Sequence, residues 1–298
     1  MLKKIFKEAF FLVWKNPLLW IFGFFAGFLT NNEILVLFLQ SEKITKGSNL
    51  PINLSLLKGS YLEVSKIIEQ LFFTPTSLLI FLLFIFLGLF FFFFVSLSQG
   101  VLIKNTKDKE KSFKKLFSGT GDFSFKIFFL NLLVLIFISL MTYLFIFKLF
   151  LFKNQFLPFV SLLIIFLIVF FLSFIVRYTI CFLCLENKPL FSSLNEGFKF
   201  FFKNILISVI VSLFIFLFHF FTGFLSLLIG TGTFYSLSVL IQFLDYLHLN
   251  NLIWFFTLSS IVISAFIFIV LYSIFIAWQY SVWALLFLKI KSGKNEEK

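Results

Sequence analysis

Few residues in this chain are equipped for bond-making chemistry. Its 298 residues include two His and two Cys, too few for an HExxH zinc site or for paired CxxC sites, which need several ligands at fixed spacing. Cys181 and Cys184, in "CFLC", fall one helical turn apart. With no second pair they read as small apolar residues of a span and not as redox or metal ligands. "GTGD" at 119–122 has the GxGD form of intramembrane aspartyl proteases, whose chemistry needs a second aspartate in a facing span to share a proton. Asp122 instead stands in a Lys-rich segment and no span holds a partner Asp, so a turn followed by a helix N-cap is expected. "GTGT" at 230–233 lacks the Lys of a phosphate cradle and reads as a loop.

What remains is a set of polar residues in apolar surroundings. Arg177 precedes Lys188, and Gln279 precedes Lys289, by about three helical turns each, which sets the two at similar depth. Gln99 and Asn131, near the ends of their own apolar runs, can join them. An arginine inside a membrane is costly unless it is paired, hydrated or able to reach the headgroups, so Arg177, Gln279, Asn131 and Gln99 form the candidate polar cluster. The plainer reading is that Arg177 snorkels while the amides staple helices together. His219, four residues before Gly223, is a secondary candidate for proton relay or ligand contact, its ordinary use being an interhelical hydrogen bond. No cofactor, metal or nucleic acid is implied.

The elements that must position these residues are read from hydropathy. Hydrophobic residues make up 61% of the chain and charged residues 13%, with mean hydropathy +1.08, against roughly 45–50% and about 25% in soluble domains. Apolar runs much longer than the ~18 residues of a spanning helix recur throughout. The composition excludes an ordinary soluble domain and gives an all-α polytopic membrane protein, forming a single membrane domain of about six transmembrane helices. Most of the 55 Phe read as lipid-facing or packing residues.

Residues 1–16 place Leu2, Ile5, Phe6, Ala9, Phe10 and Val13 at helical spacing between lysines, the pattern of a basic interfacial helix. Charges continue to Lys15 and Pro17 follows, unlike a cleavable signal peptide. Spans are expected at about 17–30, 76–100, 127–151, 157–184, 205–229 and 253–288, with a tail at 289–298. A surface helix is expected in "SYLEVSKIIEQLFF", where Val64, Ile67, Ile68 and Leu71 share a face. One set of segments (the N-terminus, 101–126, 185–204 and the tail) carries eighteen Lys and the opposite set carries six. By the positive-inside rule both termini are cytoplasmic, and a bacterial inner membrane is the expected location.

The chain also repeats itself. "EAFFLVWKNPLLWIF" at 8–22 matches "EGFKFFFKNILISVI" at 196–210 in Glu8 and Glu196, Lys15 and Lys203, Asn16 and Asn204. Residues 111–138 match 189–216 through Phe113 and Phe191, Leu116 and Leu194, Gly119 and Gly197, Phe123 and Phe201. The expected design is three hairpins, each preceded by a cytoplasmic amphipathic helix and a basic or amide stop.

"EAFFLVWKNPLLWIFGFFAG", "CLENKPLFSSLNEGFKFFFKN" and the terminal "YSVWALLFLKI" together resemble the superfamily of small bacterial six-span proteins that includes the glycerophosphoryl diester phosphodiesterase membrane domain and its stand-alone relatives. In that family the membrane domain can precede a soluble catalytic barrel. Here the sequence ends eight residues after Ile290, so no barrel is expected and neither phosphodiesterase activity nor catalytic residues carry over. The resulting expectation is a non-enzymatic, membrane-organising or accessory protein whose basic helices engage anionic membrane lipids. The alternative is a small transporter or lipid-handling protein with its polar site around Arg177 and Gln279; the sequence does not specify a cargo or protein partner.

Overall fold

The computed structural model of the chain describes residues 1–28, 75–109, 112–117, 120–151, 156–246 and 250–296. The described residues form nine helices: α1 (Leu2–Trp14), α2 (Leu18–Gly27), α3 (Pro75–Asp108), α4 (Phe113–Phe117), α5 (Gly121–Leu151), α6 (Phe156–Glu186), α7 (Leu190–Lys203), α8 (Ile205–Tyr246) and α9 (Asn250–Glu296). Five of them, α3, α5, α6, α8 and α9, contain stretches long and apolar enough to cross a membrane. Among the described residues a sixth span results if α1 and α2, which meet at 109°, are taken as one broken span. The chain is a polytopic helical membrane protein.

The structure corrects one detail of the sequence reading, the loop expected at "GTGT". Of the expected first span, 17–30, the described residues hold α2, whose ten residues reach about 15 Å, half of the ~30 Å hydrocarbon layer; residues 29 and 30 fall outside the described residues. The "GTGT" segment is not a loop. Gly230 to Thr233 lie inside the unbroken 42-residue α8, where the Thr231 hydroxyl donates to Leu227 O at 2.9 Å and that of Thr233 to Gly230 O at 2.9 Å. Such back-bonds satisfy the hydroxyls within the helix, and no proline interrupts it. The amphipathic helix expected before the second hairpin is represented among the described residues by α4. α4, of five residues, precedes α5, and the Thr120 hydroxyl donates to Phe117 O at 2.8 Å between them. Asp122 therefore lies in the first turn of α5, where a carboxylate suits the helix dipole, and Thr120 takes the boundary position. The surface helix expected at 60–73 falls outside the described residues.

Helical contacts divide the chain into two compact units, Met1–Phe28 with Val95–Lys298, and Leu29–Phe94. The described part of the second is the first portion of α3, where Phe86 stacks on Phe90 at 6.5 Å and Phe90 meets Phe94 edge-on at 5.0 Å. In the larger unit α9 packs with α1, α2, α6 and α8, while α6 packs with α5 and α7.

The α1–α2 corner follows from its sequence. Proline 17 lacks an amide proton and has a fixed φ, so it cannot extend α1 but can head α2. Trp20 Nε1 braces the corner by donating to Val13 O at 3.1 Å. Close contact between α2 and α9 depends on Gly23, where a Cβ would run into the Ser273 carbonyl. Small residues permit this kind of backbone approach between membrane helices.

The repeat seen in the sequence has a structural counterpart. At the register that aligns Glu8 with Glu196, the buried stripe of α1 is Ile5, Ala9 and Val13 and that of α7 is Ser193, Gly197 and Phe201, position for position. Both matched asparagines stand at helix junctions: Asn16 between α1 and α2, and Asn204 between α7 and α8. Asn204 Nδ2 donates to Phe200 O at 2.7 Å, closing the end of α7 with a side-chain amide. The other register, Phe113 onto Phe191, also aligns Lys109 with Asn187. Both residues adopt the left-handed conformation with φ 52°, immediately after α3 and α6.

Candidate functional site

The polar cluster is built from the bottom upward by α3, α5, α6 and α9. Asn131 Nδ2 on α5 donates to Gln99 Oε1 at 2.9 Å and to Ser96 Oγ at 3.0 Å, both on α3. The Tyr280 hydroxyl of α9 lies beside Gln99. All four side chains are buried, with Gln99 only 2% exposed, so the bonds to Asn131 satisfy amides that would otherwise be costly in an apolar bundle. The amide pair expected from sequence is therefore joined directly.

Arg177 is half-buried on α6. Its guanidinium lies 5.1 Å from the centroid of the Trp283 ring and within electrostatic range of the Tyr178 and Tyr280 hydroxyls. Among the described residues it forms no ion pair and no hydrogen bond to a protein acceptor. Trp283 belongs to an aromatic core in which it meets Phe174 and Tyr178, each at 5.7 Å, while Phe174 stacks on Phe201 at 5.2 Å and 5°. That core fixes the ring beneath the cation, a cation–π contact strengthened by exclusion of water.

Gln279 lies next to Tyr280 on α9 and is buried, yet its Oε1 has no hydrogen-bond partner. Among the described residues it is not bonded to Gln99, Asn131 or Arg177. His219 stands apart on α8, tilted against Phe275 at 5.2 Å, beside a cavity of about 370 Å³ lined by Thr222, Gly223, Phe268 and Tyr272. Its Nδ1 is buried without a partner. Cys181 and Cys184 are buried and not disulfide-bonded.

Comparison with protein-family models, curated proteins and solved structures finds no match.

Sequence reading by polar residues alone missed Tyr178, Tyr280 and Trp283, which surround Arg177. One signal was available. Arg177-Tyr178-Thr179 and Gln279-Tyr280-Ser281 are parallel triplets, and the 78-residue offset that pairs Phe113 with Phe191 also pairs Gln99 with Arg177. Gln99 and Arg177 thus occupy related positions in the repeated helices. Together the candidate residues and their neighbours present a cation, buried amides and phenols, groups that can hold an anion or polar headgroup.

Proposed function

We propose that this protein is a non-enzymatic, membrane-organising or accessory protein of a bacterial inner membrane, with both termini cytoplasmic and its basic helices engaging anionic lipid. One observation carries the reading. α1 turns 109° from α2, buries Ile5, Ala9 and Val13 against the bundle and leaves Lys3, Lys4, Lys7 and Lys15 exposed. If α2 enters the bilayer, such a helix runs along its surface with its lysines available to headgroups. The excess of eighteen Lys over six supports a cytoplasmic position for this face. The resemblance to the six-span membrane domains points to the same accessory class. Spin labels along 2–16 test the reading: lipid and water accessibility should alternate with a period near 3.6 residues, and uniform water contact would overturn it.

The unpaired Arg177 favours a second reading, a lipid-handling protein or small transporter with an anion or headgroup site in the bundle. Under it, anionic phospholipid raises the thermal stability of the wild type in detergent and raises that of Arg177→Leu less. Equal stabilisation of both would remove Arg177 from any such site.

A further inference from the structure

A cavity of about 670 Å³ lies between α1, the end of α3 and α9, within the range of about 300–1,000 Å³ typical of ligand sites. Four ammonium groups line it: Lys4, Lys7 and Lys15 from α1 and its cap, and Lys109 after α3. Among the described residues none of the four is paired with a carboxylate. The lining's one acid, Glu8, is engaged by Lys289 at 2.9 Å. Lys7 and Lys15 each lie 5.9 Å from the centroid of the Phe11 ring, two cation–π contacts to the same ring.

Two further observations give this pocket the character of a built site. Asn105 lines it, is 2% exposed, and has an Oδ1 with no hydrogen-bond partner. A buried acceptor left so is costly unless something donates to it. Lys109 occupies a left-handed backbone position, φ 52°, fixed by its N–H donating to Asn105 O at 2.9 Å. Glycine or asparagine suits that conformation better, and the equivalent residue of the next repeat, with the same φ, is Asn187. Lysine at this position adds backbone strain and a fourth positive charge to the same pocket.

We infer that this pocket binds one phosphate-bearing anion that also carries a hydroxyl or ammonium donor. The lysines surround the phosphate oxygens as point charges, and the donor meets Asn105 Oδ1. Phosphate fits better than carboxylate because its additional oxygens can accept from several ammonium groups at once. Both a lipid headgroup and a soluble phosphate have this chemistry. The inference rests on the lipid-engaging reading above and assigns one saturable site within it. The pocket is distinct from the Arg177 cluster: Asn105 lies six residues beyond Gln99 on α3, about 9 Å along the helix.

The test uses the full chain in phosphatidylcholine nanodiscs, titrated either with phosphatidylglycerol in the bilayer or with inorganic phosphate in solution, and read by thermal shift and by native mass spectrometry. One saturable phosphate-bearing ligand per chain is expected. Saturation by phosphatidylglycerol alone identifies a headgroup site, and saturation by inorganic phosphate identifies a soluble anion. Lys109→Asn should keep or raise the unliganded melting temperature and weaken binding about fivefold, the effect of one nearby lysine on an anionic surface. Lys7→Gln, at an exposed position, should weaken it by a similar factor and serves if the first change disturbs the end of α3. No saturation by either ligand, or an equal loss from Lys199→Gln on α7, would overturn the site. Periodic accessibility along α1 without saturation would leave the lipid-engaging reading standing and the pocket refuted.

Discussion

α1 and α7 are two versions of one amphipathic helix that lead to different surroundings. α7 packs on α6, its immediate predecessor in the chain, and its Glu196 is bound by Lys188 at 2.5 Å, eight residues away. α1 packs on α9, and its Glu8 meets Lys289 across 281 residues. Trp278 Nε1 adds a second long-range tie by donating to Phe6 O at 3.3 Å. In α7 the stripe ends on Phe201, which is fully buried and stacked on Phe174. In α1 the same position is Val13, and the helix borders the lysine-lined cavity. The comparison teaches that one copy of the repeat is specialised for tight packing, whereas its counterpart holds the chain ends together and leaves a basic pocket open.

The largest expected effect is at the matched pair Phe201 and Val13. Phe201→Ala should cost about 3–5 kcal/mol, because it empties the stack against Phe174. Val13→Ala should cost about 1–2 kcal/mol, by the ~0.8 kcal/mol per buried methylene. Melting temperatures in one detergent measure both, and equal losses would break the contrast.

Gly197 and Ala9 sharpen it. A Cβ at Gly197 would stand 2.5 Å from Thr179 Oγ1 and 3.0 Å from Thr179 N, the second a backbone atom of α6 that cannot swing aside. Gly197→Ala should therefore destabilise by about 1–3 kcal/mol through overpacking. The opposite change at the matched site, Ala9→Gly, should cost about 0.5–1 kcal/mol through backbone entropy. Stability of Gly197→Ala at the wild-type level would show that α6 and α7 are not in close backbone contact.

The smallest effect concerns the ion pairs. Lys188 donates to Glu196 and pairs with Glu186 at 3.0 Å, and the Glu196 hydrogen bond is the main reason its pKa lies above the ordinary 10.5. A lysine whose folded pKa is raised contributes stability that is fully present below the unfolded value and is lost as pH rises through the folded one. The melting temperature of wild type should thus exceed that of Lys188→Met near neutral pH by the small margin of a partly exposed pair, about 0.2–1 kcal/mol. The margin should shrink above about pH 10.5. A gap that widened with pH would contradict the pairing.

Much of the fold was legible in the chain because bilayer energetics act on composition and length. Long apolar runs leave few alternatives to spanning helices, since unpaired backbone groups are too costly in hydrocarbon. Lys15-Asn16 and Lys203-Asn204 marked helix junctions correctly because they act locally: amides close helix ends and a proline cannot continue a helix. The same local cues failed at "GTGT", where glycine suggested a break but threonine back-bonds inside α8 kept the helix intact.

By itself, then, the sequence determined a helical membrane protein, the internal repeat and the pairing potential of its buried amides. Only the tertiary structure decided which of those polar groups meet. It joined Asn131 to Gln99 and set Tyr280 and Trp283 around Arg177, while leaving Gln279 Oε1 unpartnered. It also brought α1 beside α9 from opposite ends of the chain, setting Lys4, Lys7 and Lys15 around one cavity with Lys109. Hydropathy fixes which segments span, but the rotation of each helix about its own axis depends on packing with its neighbours. That rotation decides whether a polar side chain faces lipid, another amide or an open pocket.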